Sequence, residues 1–447
     1  FIEEELLRER LLESVYYLHA QPPLFNLLLG GVLQAFGEAA PDAFTWLYRG
    51  FGLLMAGGLY GLLVRLRVPR WPSALLTVFF VVSPASLLFE NWLFYTYPEA
   101  LLLCAAALLF HRFASSGRLG DGVALFATLG ALALSRSLFH LAWYLAMGVL
   151  LRVAVRHVPR RTVGLAASGP LLLILALYTK NALHFGTFSA SSWFGMNFAQ
   201  VVLKQAPLEA RRELARSPDP DMKLALYAPF QALGAYPPEY RVVSGPDVPV
   251  LRRELKPSGW SNFNHVSYVG ISKAYSHVDF AAVRAWPGRY LDTVLQGVQL
   301  FLTPASDYPF VADNRAHLTP LSRVYNPVLL GMYGAETAEL GNRWLTGDEI
   351  PRRILWNWVA LIVLGLGAAG VRVVTEYRRT RTLSPEGATL LFLATNILYV
   401  TLVSNLFEYG ENNRLRYPID PLVLAQGAAG VTWLLRTFVR RPAPASP

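Results

Sequence analysis

The sequence predicts an all-α polytopic membrane protein: a helical bundle with surface helices on its outer face and a large extracytoplasmic cap loop. Three observations carry this. Of 447 residues, 53% are hydrophobic and only 16% charged, against about 25% charged in a soluble globular domain. The apolar residues gather into stretches long enough to cross a bilayer. The basic residues, which leave a net charge of +10, cluster between alternate stretches. These features exclude a soluble enzyme, a disordered chain and a fibrous repeat. They read as membrane topology rather than nucleic-acid binding. The single cysteine, Cys104, lies inside an apolar run, so no disulfide framework or cysteine metal site is available.

A hydrocarbon core of roughly 30 Å takes about 20 helical residues to cross. The stretches that qualify are 44–64, 72–89, 91–110, 120–135, 137–152, 162–184, 353–371, 387–407 and 418–436. Those at 120–135 and 137–152 are short, with Ser135-Arg136-Ser137 as a tight corner between them, like a hairpin that stops short of the outer surface. The arginines set the orientation. Arg65, Arg67 and Arg70 share one connection, Arg112 and Arg118 another, and Arg152, Arg156, Arg160 and Arg161 a third. Arg372, Arg378, Arg379 and Arg381 continue the series, and Arg436, Arg440 and Arg441 end it. Every second connection is basic, which places these in the cytoplasm. The alternate short connections hold only Arg136, Arg414 and Arg416.

Four territories follow. Residues 1–43 form a first outer loop with surface helices. An amphipathic helix from Glu3 to Leu18 puts Leu7, Leu11 and Leu18 on one side and leaves Glu3, Arg8, Glu9 and Glu13 for the other. Pro22-Pro23-Leu24 then opens a surface or re-entrant helix to about Phe36. With no initiator methionine, basic leader or cleavage site, Phe1 is expected to lie downstream of a first transmembrane helix. Residues 44–184 form the transmembrane bundle, 185–352 an extracytoplasmic cap domain, and 353–447 the C-terminal transmembrane helices and cytoplasmic tail.

Polar groups at membrane depth are costly and mark function. Here they converge on the outer side: Tyr17, His19 and Gln21; Glu90, Asn91, Tyr95, Tyr97 and Glu99; Arg136 and His140; Lys180 and Asn181; and Glu408, Glu411, Asn412, Asn413, Arg414 and Arg416. Each has a structural alternative. Lys180 fits an interfacial snorkelling residue, Arg136 an ion pair with Glu90, His140 a packed core histidine, and Tyr95 and Tyr97 an aromatic belt. Arg414 and Arg416 fit the structural alternative least, because they oppose the positive-inside trend. The chemistry suggested is anion handling beside carboxylates. Guanidinium and ammonium groups hold a phosphate, and a neighbouring carboxylate takes a proton from an attacking hydroxyl. No Gly-rich phosphate loop, zinc-spaced histidine pair or G-x-S-x-G elbow occurs. Asp219-Pro220-Asp221 admits a divalent metal without indicating one, and Gly57 and Gly61 read as close helix packing.

His19-Ala20-Gln21-Pro22-Pro23-Leu24-Phe25 resembles the H/K-x-P-P-L element that closes the first outer loop of GT-C membrane glycosyltransferases. The likeness is to the branch of protein O-mannosyltransferases and the lipid A aminoarabinose transferase. Ser83-Pro84, Glu90-Asn91 and Tyr95–Leu103 are similar to that branch's second outer loop and following helix, and the segment order matches. The resemblance implies a GT-C-like bundle and an inverting sugar transfer from a polyprenyl-phosphate donor to a lipid, glycan or protein acceptor. It also implies an enzyme of the bacterial inner membrane working on the extracytoplasmic face. The family's base is an acid early in the first outer loop. Here either Glu3, Glu4 or Glu5 substitutes, or the acid lies upstream of Phe1, and the second is favoured. By position Glu90 matches a second-loop acid. Arg136, Lys180, Arg414 and Arg416 are the expected phosphate-binding residues, and His19, Gln21, Asn91, Tyr95 and Tyr97 the expected pocket. The rivals are a lipid-carrier transporter or flippase, which calls for polar groups at mid-membrane and inverted repeats, and a glycan polymerase or ligase.

Overall fold

The computed structural model describes residues 1–203, 206–242, 244–331 and 354–439. Among them the fold is all-α, with one isolated bridge between Leu255 and Ser261. Two short helices, α1 (Glu4–Glu9) and α2 (Leu11–Tyr16), lead to α3 (Leu24–Phe36) and α4 (Ala40–Arg65). The bundle continues with α5 (Arg70–Val81), α6 (Pro84–Glu90), α7 (Thr96–Ser116), α8 (Leu119–Ser135), α9 (Leu141–Ala154) and α10 (Arg160–Phe185). The cap holds α11 (Phe194–Val202), α12 (Leu208–Ala215), α13 (Pro249–Arg252), α14 (Ser267–Ala285), α15 (Pro287–Phe301), α16 (Ala312–His317) and α17 (Thr319–Val324). The chain returns through α18 (Trp356–Thr380), α19 (Pro385–Phe407), α20 (Asn412–Arg416) and α21 (Asp420–Val439). Of the expected features, cap residues 332–352, Arg440 and Arg441 lie outside the described residues.

Among the described residues five helical bodies are long and apolar enough to cross a membrane, or six if one bent pair is a single span. The chain is thus an integral membrane protein, although fewer of its segments are full-length spans than the hydropathy pattern suggests. The helices at 119–135 and 141–154 are short. The stretch 72–89 is not one helix: α5 and α6 meet at 59°. Ser83 causes the break, its Oγ accepting from the Ser86 amide at 3.1 Å while Pro84 occupies the first helical turn. The next helix starts at Thr96 rather than 91. The segment from Leu24 leads through a short 3-10 turn at Gly37–Ala39 into α4, and the two form one apolar body of 42 residues. The first amphipathic helix breaks at Arg10.

Helix α7 is the centre of the bundle. Ala100, Cys104, Ala106 and Ala107 are buried small residues that let α4, α8 and α19 approach it, and Phe110 stacks on Phe392 at 4.6 Å. Leu53, Leu54, Leu172, Leu173, Val363 and Leu402 point outward, as lipid-facing residues do. The basic connections meet at one end, as their alternation requires: Arg67 pairs with Glu386 at 2.8 Å, Arg436 donates to the Arg67 carbonyl, and Arg156 to the Tyr377 hydroxyl. At the opposite end the cap has a core of its own around Met196, Leu224, Tyr236, Tyr268, Ile271 and Tyr275. Gly195 is required there, since a Cβ would come within 1.9 Å of the Ser272 carbonyl. A further cluster joins residues 1–29 to the cap through Leu6, Leu18, Phe25, Val250 and Leu251.

Candidate functional site

At the cap end of the bundle, three separated stretches meet on the aromatic turn Trp92–Tyr95. This turn precedes α7, so its rings sit at the helix N-terminus; Trp92 and Phe94 stack at 4.2 Å and Phe94 meets Tyr95 at 4.2 Å. Arg136 caps the C-terminus of α8, where the helix dipole favours a cation. Its guanidinium lies 5.1 Å from the Tyr95 ring centre and donates to Glu99 Oε2 at 2.9 Å. From the opposite side, Arg414 of α20 places its guanidinium 4.9 Å from Phe94, 5.5 Å from Tyr95 and 5.2 Å from Tyr308. These are cation–π distances. Arg414 also pairs with Glu411 and donates to Thr96 Oγ1 at 3.2 Å. Tyr308 of the cap donates to Glu411 Oε1 at 2.9 Å, and burial pushes its hydroxyl up to about 12, so it stays a neutral donor.

Among the described residues two polar atoms here have no hydrogen-bond partner: Glu99 Oε1 and Arg414 Nε. A buried charge normally satisfies all its groups, so an orphan acceptor and an orphan donor in one cluster suit a polar, anionic guest. Solvent reaches the cluster past Glu411, whose side chain is 20% exposed, and Arg136, at 11%.

The expected residues divide sharply. Arg136, Arg414 and Tyr95 come together, but Arg136 pairs with Glu99 and not with Glu90. Glu90 lies on the α4 side, with Tyr97 donating to it at 3.3 Å and Arg49 as its electrostatic partner. Gly52 leaves room for that contact, since a Cβ would lie 2.9 Å from the Tyr97 hydroxyl. Tyr97 is buried between Tyr48 and Tyr417 rather than lining a pocket. Arg416 is consumed by structure: it donates to Asp420 at 3.0 Å and 3.4 Å, and to the carbonyls of Phe301 and Thr303. Lys180 donates to the Leu18 carbonyl at 2.6 Å.

His19 is a buried staple between the first loop and the cap. Its Nε2 donates to the Asn264 carbonyl at 2.9 Å, so Nδ1 accepts from Ser192 Oγ at 2.7 Å, and burial drives its pKa down to about 4. Gln21 is half-buried beside the proline pair, and Asn91 is exposed, donating back to the Leu87 carbonyl of its own helix. His140 caps α9 by accepting the Trp143 amide. The first-loop acids are engaged elsewhere: Glu3 and Glu5 pair with Arg253, and Glu4 with Arg8. Asp221 receives Tyr240 and lies 3.1 Å from His277, while Asp219 caps its own turn. Among the described residues no group of three or more His, Cys, Asp or Glu side chains is placed to hold a metal ion. Sequence reasoning missed Phe94, Thr96, Tyr308 and Asp420 as parts of these clusters. Nothing local marks a cap tyrosine as the partner of a glutamate 103 positions away.

Among solved structures the chain is similar to the Archaeoglobus fulgidus oligosaccharyltransferase tethered with an acceptor peptide containing the NVT sequon. The identity is 11% and the TM-score 0.38, over 95% of this chain and 43% of that one. The apo form of the same enzyme gives 12% and 0.35, over 93% and 43%. This chain spans less than half the length of those structures. No family model and no curated protein matches it.

Proposed function

We propose that this protein is a GT-C-type glycosyltransferase that moves a sugar from a polyprenyl-phosphate donor to an acceptor at the cap face of the membrane. The observation that carries the reading is the pair of guanidiniums, buried Arg414 and partly buried Arg136, on either side of Tyr95. Two fixed guanidiniums at a membrane face suit a lipid-linked phosphate, whose headgroup lies at that depth while its tail stays in the bilayer. The aromatic turn offers a surface for a sugar ring, and the free oxygen of Glu99 an acceptor for one of its hydroxyls. In the transfer, the acceptor oxygen attacks the anomeric carbon, the sugar–phosphate bond breaks, and the two arginines hold the leaving phosphate. Glu3 and Glu5 are engaged with Arg253 and Glu90 with Tyr97, which favours a base other than these three for the acceptor's proton. Concentration of the buried charge at one end favours an enzyme over a carrier that must pass a phosphate through mid-membrane.

The test is to incubate the purified protein with a panel of radiolabelled polyprenyl-phosphate sugars and follow label leaving the lipid. Transfer by the native chain that is lost in Arg414→Ala is expected. Donor binding by the native chain with no transfer to any acceptor would favour the carrier reading. For the orientation, a cysteine at Ser217 is expected to react with an impermeant thiol reagent in intact cells, and one at Ser116 to be shielded.

A further inference from the structure

We propose a second anion site at the opposite, arginine-rich end of the molecule: a cleft between the C-terminal turns of α18 and α21 that holds the phosphate headgroup of an anionic membrane lipid. The two helices run parallel and touch through small residues. A Cβ on Gly365 would lie 3.1 Å from the Gly427 nitrogen, and one on Gly430 2.9 Å from the Ala368 Cβ. One turn further on, Trp433 intervenes where a glycine or alanine would have kept them closed. Beyond it opens a cleft of about 490 Å³ lined by Arg372, Thr375, Glu376, Arg379, Thr380 and Trp433.

The charge in this cleft is unbalanced. Arg372 and Arg379 make no ion pair and no side-chain hydrogen bond among the described residues. Glu376, the one acid in the lining, is engaged with the start of α19 rather than with either arginine. Its Oε1 accepts the Ser384 amide, and its Oε2 sits where a Cβ on Gly387 would come within 2.5 Å. Its charge is therefore spent on the N-terminus of α19, where the helix dipole favours it. Two guanidiniums seven positions apart remain on one helix face, with two threonine hydroxyls and an indole, a residue type enriched at the membrane–water boundary. Val371 and Val374 are exposed apolar residues of α18 at the same level as the cleft, so the cleft opens beside lipid-facing surface. That surface suits acyl chains and separates a lipid from free phosphate.

Native mass spectrometry of the full chain, released from micelles doped with equal phosphatidylglycerol and phosphatidylcholine, tests this. Preferential retention of phosphatidylglycerol is expected. The Arg372→Gln, Arg379→Gln double variant is expected to weaken it about thirtyfold, and Arg379→Gln alone about fivefold, from the usual worth of one basic side chain against an anionic headgroup. Arg378→Gln, at an exposed position outside the cleft, is expected to leave retention unchanged. Equal retention of the two lipids, an equal loss in Arg378→Gln, or displacement of phosphatidylglycerol by an equal concentration of inorganic phosphate would overturn the assignment.

Discussion

Arg414 and Arg416 stand two positions apart, each with a side chain only 2% exposed, yet their surroundings could hardly differ more. Arg416 meets both oxygens of Asp420 and two backbone carbonyls, and Asp420 in turn accepts the Trp358 indole at 3.0 Å. That cluster is closed by the chain itself. Arg414 has Glu411, one threonine hydroxyl and three ring faces, and its Nε has no hydrogen-bond partner among the described residues. Ring faces attract a cation without satisfying its donors. Burial alone therefore does not separate structure from function in this loop; what separates them is how completely each charge is answered.

The largest effect expected from breaking the contrast is on stability. Arg416→Ala strands Asp420, whose side chain is 10% exposed, and removal of one partner of such a pair costs about 3–5 kcal/mol. Unfolding in detergent should register it, and the Arg416→Met, Asp420→Leu double variant should recover much of the loss. An Arg416→Ala protein of native stability but no activity would put Arg416 back in the site.

Arg414→Ala is expected to do the reverse. Glu411, its partner, keeps 20% exposure and so hydrates when freed, which limits the structural damage. Donor turnover should fall by about 2–4 kcal/mol, well over tenfold, as when one charge-assisted contact to a transition state is lost. Arg136 is best removed with Glu99→Gln, because Glu99 has no exposure at all and would otherwise be left charged and alone. Full turnover in both variants would leave the anion site without support.

Much of this was legible in the sequence. Long apolar runs with arginines in alternate connections require that the basic turns meet at one end, and Arg67, Arg156, Glu386 and Arg436 do. The same alternation singled out Arg136, Arg414 and Arg416 as exceptions. It could not rank them, because Asp420 and the carbonyls of Phe301 and Thr303 reach Arg416 only through the tertiary fold. His19 misled for the same reason: a histidine beside a proline pair looks like a pocket residue until the Asn264 carbonyl, 245 positions on, accepts its hydrogen bond. Helix lengths failed at Ser83, where a side-chain cap and a proline outweigh an unbroken apolar run. They also missed that the helix opened at Leu24 joins the next one into a single apolar body of 42 residues.

His19 extends the contrast to a second closed cluster, and here the probe is pH. Its pKa falls from 6.5 to about 4 on folding through burial, so the unfolded chain binds the proton more readily. Stability is therefore full above about pH 6.5 and is lost as pH falls toward 4, by about 3 kcal/mol across that window. Unfolding measured between pH 7 and pH 4 should show this slope, and a His19→Gln variant should flatten it. An unchanged slope in the variant would mean that His19 is charged or solvated in the native protein.

The smallest effect belongs to the contact that brings the cap to the open cluster. Tyr308 supplies a ring face to Arg414 and a hydroxyl to Glu411. Tyr308→Phe keeps the first and deletes the second. A hydrogen bond to a charged group is worth about 1.5 kcal/mol at the lower end of its range, and Glu411 reaches water, so roughly a tenfold loss in turnover is expected with little change in stability. Tyr308→Ala removes the ring as well and should lose more, because Arg414 then lacks one wall of its cage. If the hydroxyl serves only to dock the cap, Tyr308→Phe should lower stability and leave the turnover of the folded protein unchanged. If Glu411 must be held for Arg414 to meet the phosphate, turnover falls while stability holds, and a Glu411→Gln variant should show a similar loss. Equal activity in Tyr308→Phe and the native protein would sever the cap from the cluster and confine the site to the bundle.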